Sequence, residues 1–375
     1  MLLFGVAVPC YCWGVEGNPF TPGFGTLPAV IVGRDVVLDE VRPIFDRFEA
    51  RDIHWAIHLR AHRGAGKTVL LDQMQDMASD AGWWVLQEDA GSGAPLPARI
   101  INRCLARLTE LDPPRRGRRV ANVSIMGASI GLEAEAQTPA SVASVRDVLE
   151  SVAQREANGV LVTVDEIHQA ADAALNEIGN AAQHLHRNGL PLVFIMAGLP
   201  RPERRREPTF LSRAWQPVLD RVEDSEIERG LVDTAATADG TFDLQALRRS
   251  VELSAGQPFL MQLVGYHSWD LASRSPIELA DVNAAAVAAM AGFNRSVTAQ
   301  MIGGVSPDQR SFLASMARHG TPTRLGDVRA DHPWSQSQVG VYRQRLLDAG
   351  LIVAAGHGLI DFALPGIAQV LDQDG

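Results

Sequence analysis

Lysine is almost absent from this 375-residue sequence: Lys67 is the single lysine among 34 basic residues, and the others are arginines. The formal net charge of −10 excludes a histone-like protein that binds nucleic acid by charge alone, although one domain could still present a basic face. A lone lysine in such a background indicates a site that needs a compact ammonium on a flexible stem, because the planar fork of arginine does not replace it.

Cysteine is scarce too, with only Cys10, Cys12 and Cys104. Three unevenly spaced cysteines make neither a disulfide framework nor a zinc site. The Cys10-x-Cys12 pair could bind a metal or oxidise, but incidental thiols are the favoured interpretation. We therefore expect a cytoplasmic protein.

Long apolar runs are also missing. The apolar start, residues 1–14, is shorter than the about 20 residues that span a bilayer, and it has no basic n-region or cleavage site. We expect a flexible extension, or an over-called start codon, rather than a signal peptide, and no membrane partner. The length allows two or three domains, and 46% hydrophobic and 21% charged residues are ordinary for a globular protein.

Residues 58–68 join a strand pattern to a helix pattern through a glycine-rich turn. Apolar and polar residues alternate up to Ala61, and apolar residues recur at helical spacing from Val69 until Gly82. This is the context of the Walker A phosphate-binding motif, Gly-x-x-x-x-Gly-Lys-Thr, with Ala61 in its first position. Alanine is the least disruptive replacement there, provided that its φ is negative.

The loop residues have distinct expected roles in binding ATP or ADP with Mg²⁺. Gly64 and Gly66 let backbone N–H groups curl around phosphate oxygens, because neither carries a Cβ. Lys67 is expected to reach the β- and γ-phosphates and Thr68 to ligate Mg²⁺, at a helix start whose dipole favours anions. The predicted phosphate cradle is Arg63, Gly64, Ala65, Gly66, Lys67, Thr68 and Val69. The alternative is a glycine-rich turn that precedes Lys-Thr by chance.

A second motif, GVLVTVDEIHQA, predicts the catalytic carboxylates. Residues 160–164 are almost wholly apolar, as in a buried parallel strand, and Asp165 and Glu166 follow at its carboxyl end, where α/β sheets place ligands. This Walker B pattern predicts that Asp165 holds Mg²⁺ through water and that Glu166 polarises the attacking water. Asp-Glu-Ile-His also spells a helicase-like box, but no later helicase motif supports it, so His168 is expected in a first helical turn.

The remaining sheet elements are less distinctive. Residues 191–201 predict a fourth strand that ends at Ala197-Gly198, with no polar residue there, and a last strand is predicted near 222–227. A hairpin is predicted to turn at Met126-Gly127. The breaker cluster before it is interpreted as a solvated loop rather than a contact to nucleic acid or an acidic partner; its arginines are Arg115, Arg116, Arg118 and Arg119.

The C-terminal part is predicted to contain two helical regions. From Leu231 to about Gly303 the chain is alanine-rich and has Gly256-x-Pro258 at a helix start; Gly303-Gly304 is a predicted hinge. Three helices and two short strands then form a winged-helix pattern, whose third helix enters the major groove in DNA-binding proteins. The expected DNA contacts are Gln338, Arg343 and Arg345. Residues 305–375 hold six arginines and seven aspartates, so DNA affinity should be modest and salt-dependent, and protein docking is the alternative.

These features, together with Gly33-Arg34-Asp35 at a helix start, resemble AAA+/STAND-type P-loop ATPases, particularly origin-recognition initiator ATPases and ATP-binding proteins of high-GC bacteria and their phages. The resemblance covers roughly residues 17–372. It implies an α/β fold of the ASCE P-loop class, with a parallel sheet in which the Walker A and Walker B strands are adjacent. The implied domains are 1–30, an extension with a Gly/Pro-rich strap; 31–229, the ATPase domain; 230–303, a helical lid; and 304–375, a winged helix.

The resemblance also implies further site residues. Gly33 and Arg34 would touch adenine, and Pro258 would approach the nucleotide from the lid. AAA+ relatives complete the site with an arginine from a neighbouring subunit, on the helix before the fifth strand. Arg221 is the first choice here and Arg213 the second, with a surface arginine that offsets nearby acids as the alternative for each.

Together these inferences predict an ATPase that switches with Mg·ATP, loads or remodels DNA or a DNA-bound partner, and forms a homo-oligomer on ATP binding. Ala61, the missing polar residue after the fourth strand and the lack of a clear lid arginine predict low or partner-stimulated turnover. The competing hypothesis is a nucleotide-sensing scaffold that signals through protein contacts without DNA affinity. Salt-dependent DNA binding distinguishes the two.

Overall fold

A computed structural model describes residues 17–23, 26–48, 54–113, 143–199, 208–219 and 221–373 of the chain. The apolar start with Cys10 and Cys12, the predicted hairpin at Met126-Gly127 and the arginines of 115–119 lie outside these residues. Among the helices so described, none combines the length and the apolar character needed to cross a membrane.

The chain forms two compact units. The sheet unit comprises Val36–Arg60 and Leu71–Val218, and the helical unit comprises Met1–Asp35, Ala61–Leu70 and Leu219–Gly375. The glycine-rich loop therefore belongs to the helical unit, although it follows a strand of the sheet unit in the sequence.

A four-stranded parallel sheet forms the centre of the sheet unit. Its strands, in the order β1-β4-β3-β2, are β1 (Ala56–Arg60), β2 (Trp84–Asp89), β3 (Val160–Asp165) and β4 (Leu192–Gly198). The prediction that the Walker A strand β1 and the Walker B strand β3 are adjacent was wrong, because β4 lies between them. All seven residues of β4 are buried, and such a continuous apolar run suits a central strand covered on both faces.

The sheet continues beyond β1 at Trp215, which forms an isolated parallel bridge with Ile57. The Trp215 N–H donates to the Ala56 carbonyl at 2.9 Å, and its own carbonyl accepts from the His58 N–H at 2.8 Å. The segment that occupies the fifth position in the sheet is therefore at Trp215.

The prediction of a last strand near 222–227 was consequently wrong, since a helix begins at Asp224. Asp224 and Glu226 lie in its first turn, where negative side chains stabilise the positive end of the helix dipole. Ile227 and Leu231 are buried four residues apart on one face of this helix. The helical region therefore begins at Asp224 rather than at Leu231, where it was predicted to start.

Within the described residues, six helices and a 3-10 turn accompany the strands. They are α1 (Asp35–Asp46), α2 (Lys67–Asp80), α3 (Leu96–Leu111), α4 (Val145–Ala153), the 3-10 turn (Ile167–Gln169), α5 (Asp172–Arg187) and α6 (Thr209–Arg213). Side chains of α3, α4 and α5 share one core with the strands, including Ile100, Leu149 and Leu185. Full burial of such a side chain contributes about 1.5–3 kcal/mol, so this core holds the strand ends in place.

The first part of the helical unit is alanine-rich. Its elements are α7 (Asp224–Ala236), α8 (Leu244–Ser254), α9 (Pro258–Leu271), α10 (Leu279–Phe293), a π-helical turn (Asn294–Thr298) and α11 (Ala299–Gly303). The Gly/Pro-rich strap packs on α9 through Phe20, which is 1% exposed. The Phe20 ring lies so close to Gly265 of α9 that a Cβ at this glycine would clash with it. The strap is thus anchored to these helices.

The last part of this unit combines helices with a small antiparallel sheet. Its elements are α12 (Pro307–His319), β5 (Thr323–Arg324), α13 (Leu325–Ala330), α14 (Gln336–Asp348), β6 (Ile352–Gly356), β7 (Leu359–Phe362) and α15 (Ile367–Gln373). The strand order is β5-β7-β6.

One hydrophobic core runs through both parts of the helical unit. It includes Leu260 and Phe293 of the alanine-rich helices together with Phe312, Leu346 and Ile367 of the C-terminal elements. The predicted hinge falls where α11 ends at Gly303, and the core continues across it.

Candidate nucleotide site

The glycine-rich loop, residues 61–66, depends on two glycines with positive φ. Gly64 has φ +78° and Gly66 has φ +84°, in the left-handed region that favours glycine. A Cβ on Gly64 would lie 3.1 Å from Val297 Cγ2, whereas a Cβ on Gly66 would meet open space. Ala61 is buried and is not among the residues with positive φ, so it meets the condition under which alanine was expected to be tolerated.

The ammonium group of Lys67 lies within its own loop. Its Nζ donates to the carbonyls of Ala61 at 2.9 Å and His62 at 2.8 Å, and the residue is 8% exposed. The lysine is also the first residue of α2, where backbone N–H groups lack helical partners and the dipole favours an anion. Thr68 follows and is exposed. The cation, the amides at the start of α2 and the hydroxyl fit a bound polyphosphate with its Mg²⁺.

Other parts of the helical unit pack directly on this loop. Besides Val297 in the π-helical turn, Phe259 of α9 approaches Gly64, with its Cβ 3.8 Å from the position that a Gly64 Cβ would take. His62 lies beside Gly350, whose Cβ position is 3.5 Å from the His62 ring. The loop therefore contacts both the alanine-rich helices and the C-terminal elements.

The Gly33-Arg34 segment also reaches the loop. One guanidinium nitrogen of Arg34 donates to the Ala65 carbonyl at 3.1 Å, another donates to the Gly33 carbonyl at 3.0 Å, and the residue is 6% exposed. Gly33 has φ +62°, and a Cβ there would lie 2.6 Å from Val222 Cγ1. The structure brings these two predicted residues to the phosphate loop; their contact with adenine stays a prediction.

The Gly256-x-Pro258 turn has a comparable geometry. Pro258 is the first residue of α9, a position that needs no N–H donor. Gly256 has φ +68°, and a Cβ there would lie 2.7 Å from the Val222 carbonyl oxygen. Val222 thus packs against both Gly33 and Gly256, and brings the two glycine turns together.

The Walker B carboxylates lie at the carboxyl end of β3, in the sheet unit. Asp165 pairs in register with Asp89 at the end of β2. Its Oδ1 accepts the Glu166 N–H at 2.7 Å. Glu166 adopts a left-handed backbone conformation, φ 50° and ψ 34°, which costs energy for a residue with a Cβ. Such strain is common at functional sites, and it directs the Glu166 side chain away from the regular strand path.

Helix α2 brings a further carboxylate to Asp165. Burial raises the pKa of Asp72, and the nearby charges of Asp165 and Asp76 raise it further. The Gln75 side chain donates to Thr163 Oγ1 at 3.1 Å, which fixes α2 against β3. A cation near these carboxylates would relieve their repulsion. Within the described residues, no group of three or more His, Cys, Asp or Glu side chains could hold a metal.

The two candidate arginines lie in different units. Arg213 is the last residue of α6, immediately before the sheet segment at Trp215, and it is exposed. Arg221 lies beside Gly256, with its Nε 3.0 Å from the position that a Cβ there would take. Arg221 also lines a cavity of about 300 Å³ with Thr321 and Asp361.

The predicted DNA-contacting residues lie on α14. Gln338 is exposed, whereas Arg343 and Arg345 are half-buried. The Tyr342 hydroxyl donates to Asp308 Oδ2 at 2.6 Å, and this hydrogen bond raises the pKa of Tyr342. The structure therefore places the three predicted residues on one helix and fixes that helix to α12.

Glu166 has one contact that the sequence did not predict. His168 was expected in a helical turn, and it is the middle residue of the 3-10 turn, but its Nε2 lies 3.2 Å from Glu166 Oε2. A histidine two residues after the Walker B glutamate was the available signal. Its partner could not be read from spacing, because the orientation of the ring depends on the end of β4.

Two segments of the chain match known family models. Residues 30–195 match the family model of the AAA ATPase domain, and residues 295–371 match that of a domain of unknown function, DUF8462. A search of the curated proteins found no match for this chain.

Comparison with solved structures found similar chains. A Walker-type ATPase of Pyrococcus abyssi superposes with a TM-score of 0.64 at 14% identity, over 96% of this chain and 99% of that one. Cdc6p from Pyrobaculum aerophilum gives 0.48 at 16% identity, over 94% and 97%. The RuvB Holliday junction branch migration motor of Thermotoga maritima gives 0.46 at 16% identity, over 91% and 95%. The chain has the parallel-sheet α/β fold of P-loop ATPases, and the domain match together with this fold supports a P-loop AAA+ ATPase.

Proposed function

We propose that this chain binds Mg·ATP and hydrolyses it slowly, as a nucleotide-dependent switch that acts on DNA or on a DNA-bound partner. The observation that carries the nucleotide part is the position of the only lysine. Its ammonium spans two carbonyls of a glycine-rich loop, at the start of a helix. Every other basic residue of the chain is an arginine, whose planar guanidinium does not replace a compact ammonium, and this supports phosphate binding by Lys67.

The proposed roles follow from the chemistry of each group. Bound Mg·ATP supplies the γ-phosphoryl group and the cation that neutralises its charge. Amides of residues 63–69 bind phosphate oxygens. The Lys67 ammonium leaves the carbonyls of Ala61 and His62 and binds phosphate oxygens as well. Thr68 and Asp165 provide oxygen ligands of the kind that Mg²⁺ prefers. Glu166 accepts a hydrogen bond from the attacking water and orients it. Gly33, Arg34 and Pro258 surround the base in this proposal.

The switch is supported by contacts of the loop within its own unit. Val297 and Phe259 approach Gly64, and His62 lies beside Gly350. If phosphate binding moves the loop, the packing of both the alanine-rich helices and the C-terminal elements should change, because closely packed cores respond to sub-ångström shifts. The proposal includes assembly of several copies on ATP binding.

Lys67→Ala tests the nucleotide site. We expect ATP binding to be lost while the protein stays folded, because the loop carries no part of the sheet core; calorimetry with Mg²⁺ and thermal unfolding measure the two. Lys67→Arg retains the charge but not the compact ammonium, and should also bind weakly. Arg248→Ala, on the exposed surface of α8, is the control for loss of one positive charge. Equal ATP affinity of Lys67→Ala and the parent would refute the site.

We propose further that residues 307–373 form a winged helix. Three helices, a hairpin and a third short strand support this assignment. A specific observation favours the second candidate function, a scaffold that docks protein: the exposed residues of α14 are uncharged. They are Gln336, Ser337, Gln338, Gly340, Val341 and Gln344. DNA binding through α14 would then rely on the half-buried arginines Arg343 and Arg345, and a prediction below tests this.

A further inference from the structure

The carboxylate of Glu166 is held by the turn that follows it. Its Oε2 lies 3.2 Å from His168 Nε2 and accepts from Gln169 Nε2 at 3.4 Å. Its backbone is fixed as well, since the Glu166 N–H donates to Asp165 Oδ1 at 2.7 Å. Both contacts of the carboxylate go to one oxygen, which leaves Oε1 facing no hydrogen-bond donor among the described residues.

The second ring nitrogen of His168 determines where its hydrogen lies. The Leu199 N–H donates to His168 Nδ1 at 3.3 Å. Nδ1 is therefore an acceptor, and a neutral imidazole that accepts at Nδ1 carries its hydrogen on Nε2. That hydrogen is directed to Glu166. The ring thus links the backbone just after β4 to the carboxylate.

Gly198 permits this link. A Cβ at the end of β4 would lie 2.8 Å from Ile167 Cγ2 and 3.3 Å from the His168 backbone nitrogen. The 3-10 turn therefore packs directly on the strand end, where any larger residue would displace it. Because Gly198 has no side chain of its own to offer, the group that reaches the carboxylate from this side is the imidazole of His168.

We propose that His168 is the positioning residue for Glu166: it holds Oε2 so that Oε1 can orient the attacking water. The inference rests on the proposed ATPase function. A reacting group displaced by about 1 Å can lose on the order of 10²-fold in rate. His168→Ala should therefore lower kcat by about 10- to 100-fold and leave the KM for ATP and the thermal stability near those of the parent.

Two conservative variants separate the roles of the ring nitrogens. The amide of His168→Gln can still donate near the position of Nε2, so this variant should recover most of kcat. His168→Asn resembles the Nδ1 side of the ring and is too short to reach Glu166, so it should remain as slow as His168→Ala. His184→Ala is the matched control, because that histidine contacts only Asn188 of its own helix end, at 3.0 Å, among the contacts described. A slow His168→Gln or a fast His168→Asn would overturn the assignment.

The dependence on Glu166 is tested by combining variants. In a Glu166→Gln background, His168→Ala should cause no further loss, because the ring acts through the carboxylate. Nitrogen chemical shifts of the ring provide a readout that needs no turnover: the parent should show the Nε2–H form, and Glu166→Ala should shift this signal. An Nδ1–H form in the parent would overturn the inference. A parent that binds ATP but never hydrolyses it would overturn the proposed function instead, and the ring signal would still decide whether the contact exists.

Discussion

Lys67 and Glu166 act on different parts of the proposed reaction, so their substitutions should differ. Glu166→Gln keeps the size of the side chain but removes the charge that polarises water, and ATP binding should persist. General-base groups contribute about 10²–10⁴-fold to rate, so phosphate release should fall by at least about 10²-fold. Calorimetry and a phosphate-release assay measure the two effects. Turnover at the parental rate would show that Glu166 is not the base.

A single residue is also expected to complete the site from a neighbouring subunit. By the rule that this arginine precedes the fifth sheet segment, the bridge at Trp215 favours Arg213 over Arg221. Arg213→Ala should lower hydrolysis by about 10³-fold or more if it acts as an arginine finger, with ATP affinity little changed. Arg221→Ala is the direct comparison.

Mixing of inactive variants provides the control for this residue. Arg213→Ala combined with Glu166→Gln should regain activity, since one subunit brings the intact base and the other the intact arginine. Failure to regain activity, in a protein shown to assemble with ATP, would reject an arginine supplied in trans.

At the scale of single residues, local sequence patterns predict roles for Lys67, Asp165 and Glu166. Ala61 illustrates the limit, because whether alanine is tolerated depends on a φ that only the folded loop reveals. The contact of His168 could not be predicted, since its ring is oriented by the backbone of Leu199, thirty-one residues later. A pattern within one element can predict where a charged residue lies in the fold. The orientation of a side chain depends on partners from other parts of the chain.

Among the elements, helix α14 allows the clearest test of DNA binding. Replacement of Arg343 and Arg345 by Gln should reduce the salt dependence of DNA affinity by about one unit per lost phosphate contact. Titrations at several salt concentrations, with and without ATP, measure the slope. Arg248→Gln with Arg249→Gln removes the same charge from α8 and should leave the slope unchanged. If the parent shows no binding even at low salt, the module docks protein instead.

Helix starts that carry a strong local signal were predicted correctly. A segment whose residues could be assigned to either a strand or a helix was not. The start of α9 at Pro258 follows from local chemistry, because proline suits a first helical position. The prediction of a strand at 222–227 was wrong, because the acidic residues of this segment suit the first turn of α7 and favour a helix. The order of the strands depends on pairing between segments that are distant in the sequence, and spacing within one segment does not contain that information.

For the molecule as a whole, the shared core predicts how fragments behave. A fragment of residues 304–375 would expose Phe312, Leu346 and Ile367, which lie in one core with Leu260 and Phe293. It should show no cooperative thermal transition, whereas a fragment of residues 219–375 should unfold cooperatively. Circular dichroism during heating measures both. A sharp transition in the short fragment would show that the C-terminal elements fold alone.

The continuity of this core also bears on how such a protein can evolve. The segment that matches a domain of unknown function begins at residue 295, inside the π-helical turn, while part of the core it shares comes from α9 and α10. Recombination that moved residues 295–371 alone into another gene would carry an apolar surface without its complement. We therefore expect the C-terminal elements to be inherited together with the alanine-rich helices. The segment that can be exchanged between genes is then longer than the matched domain.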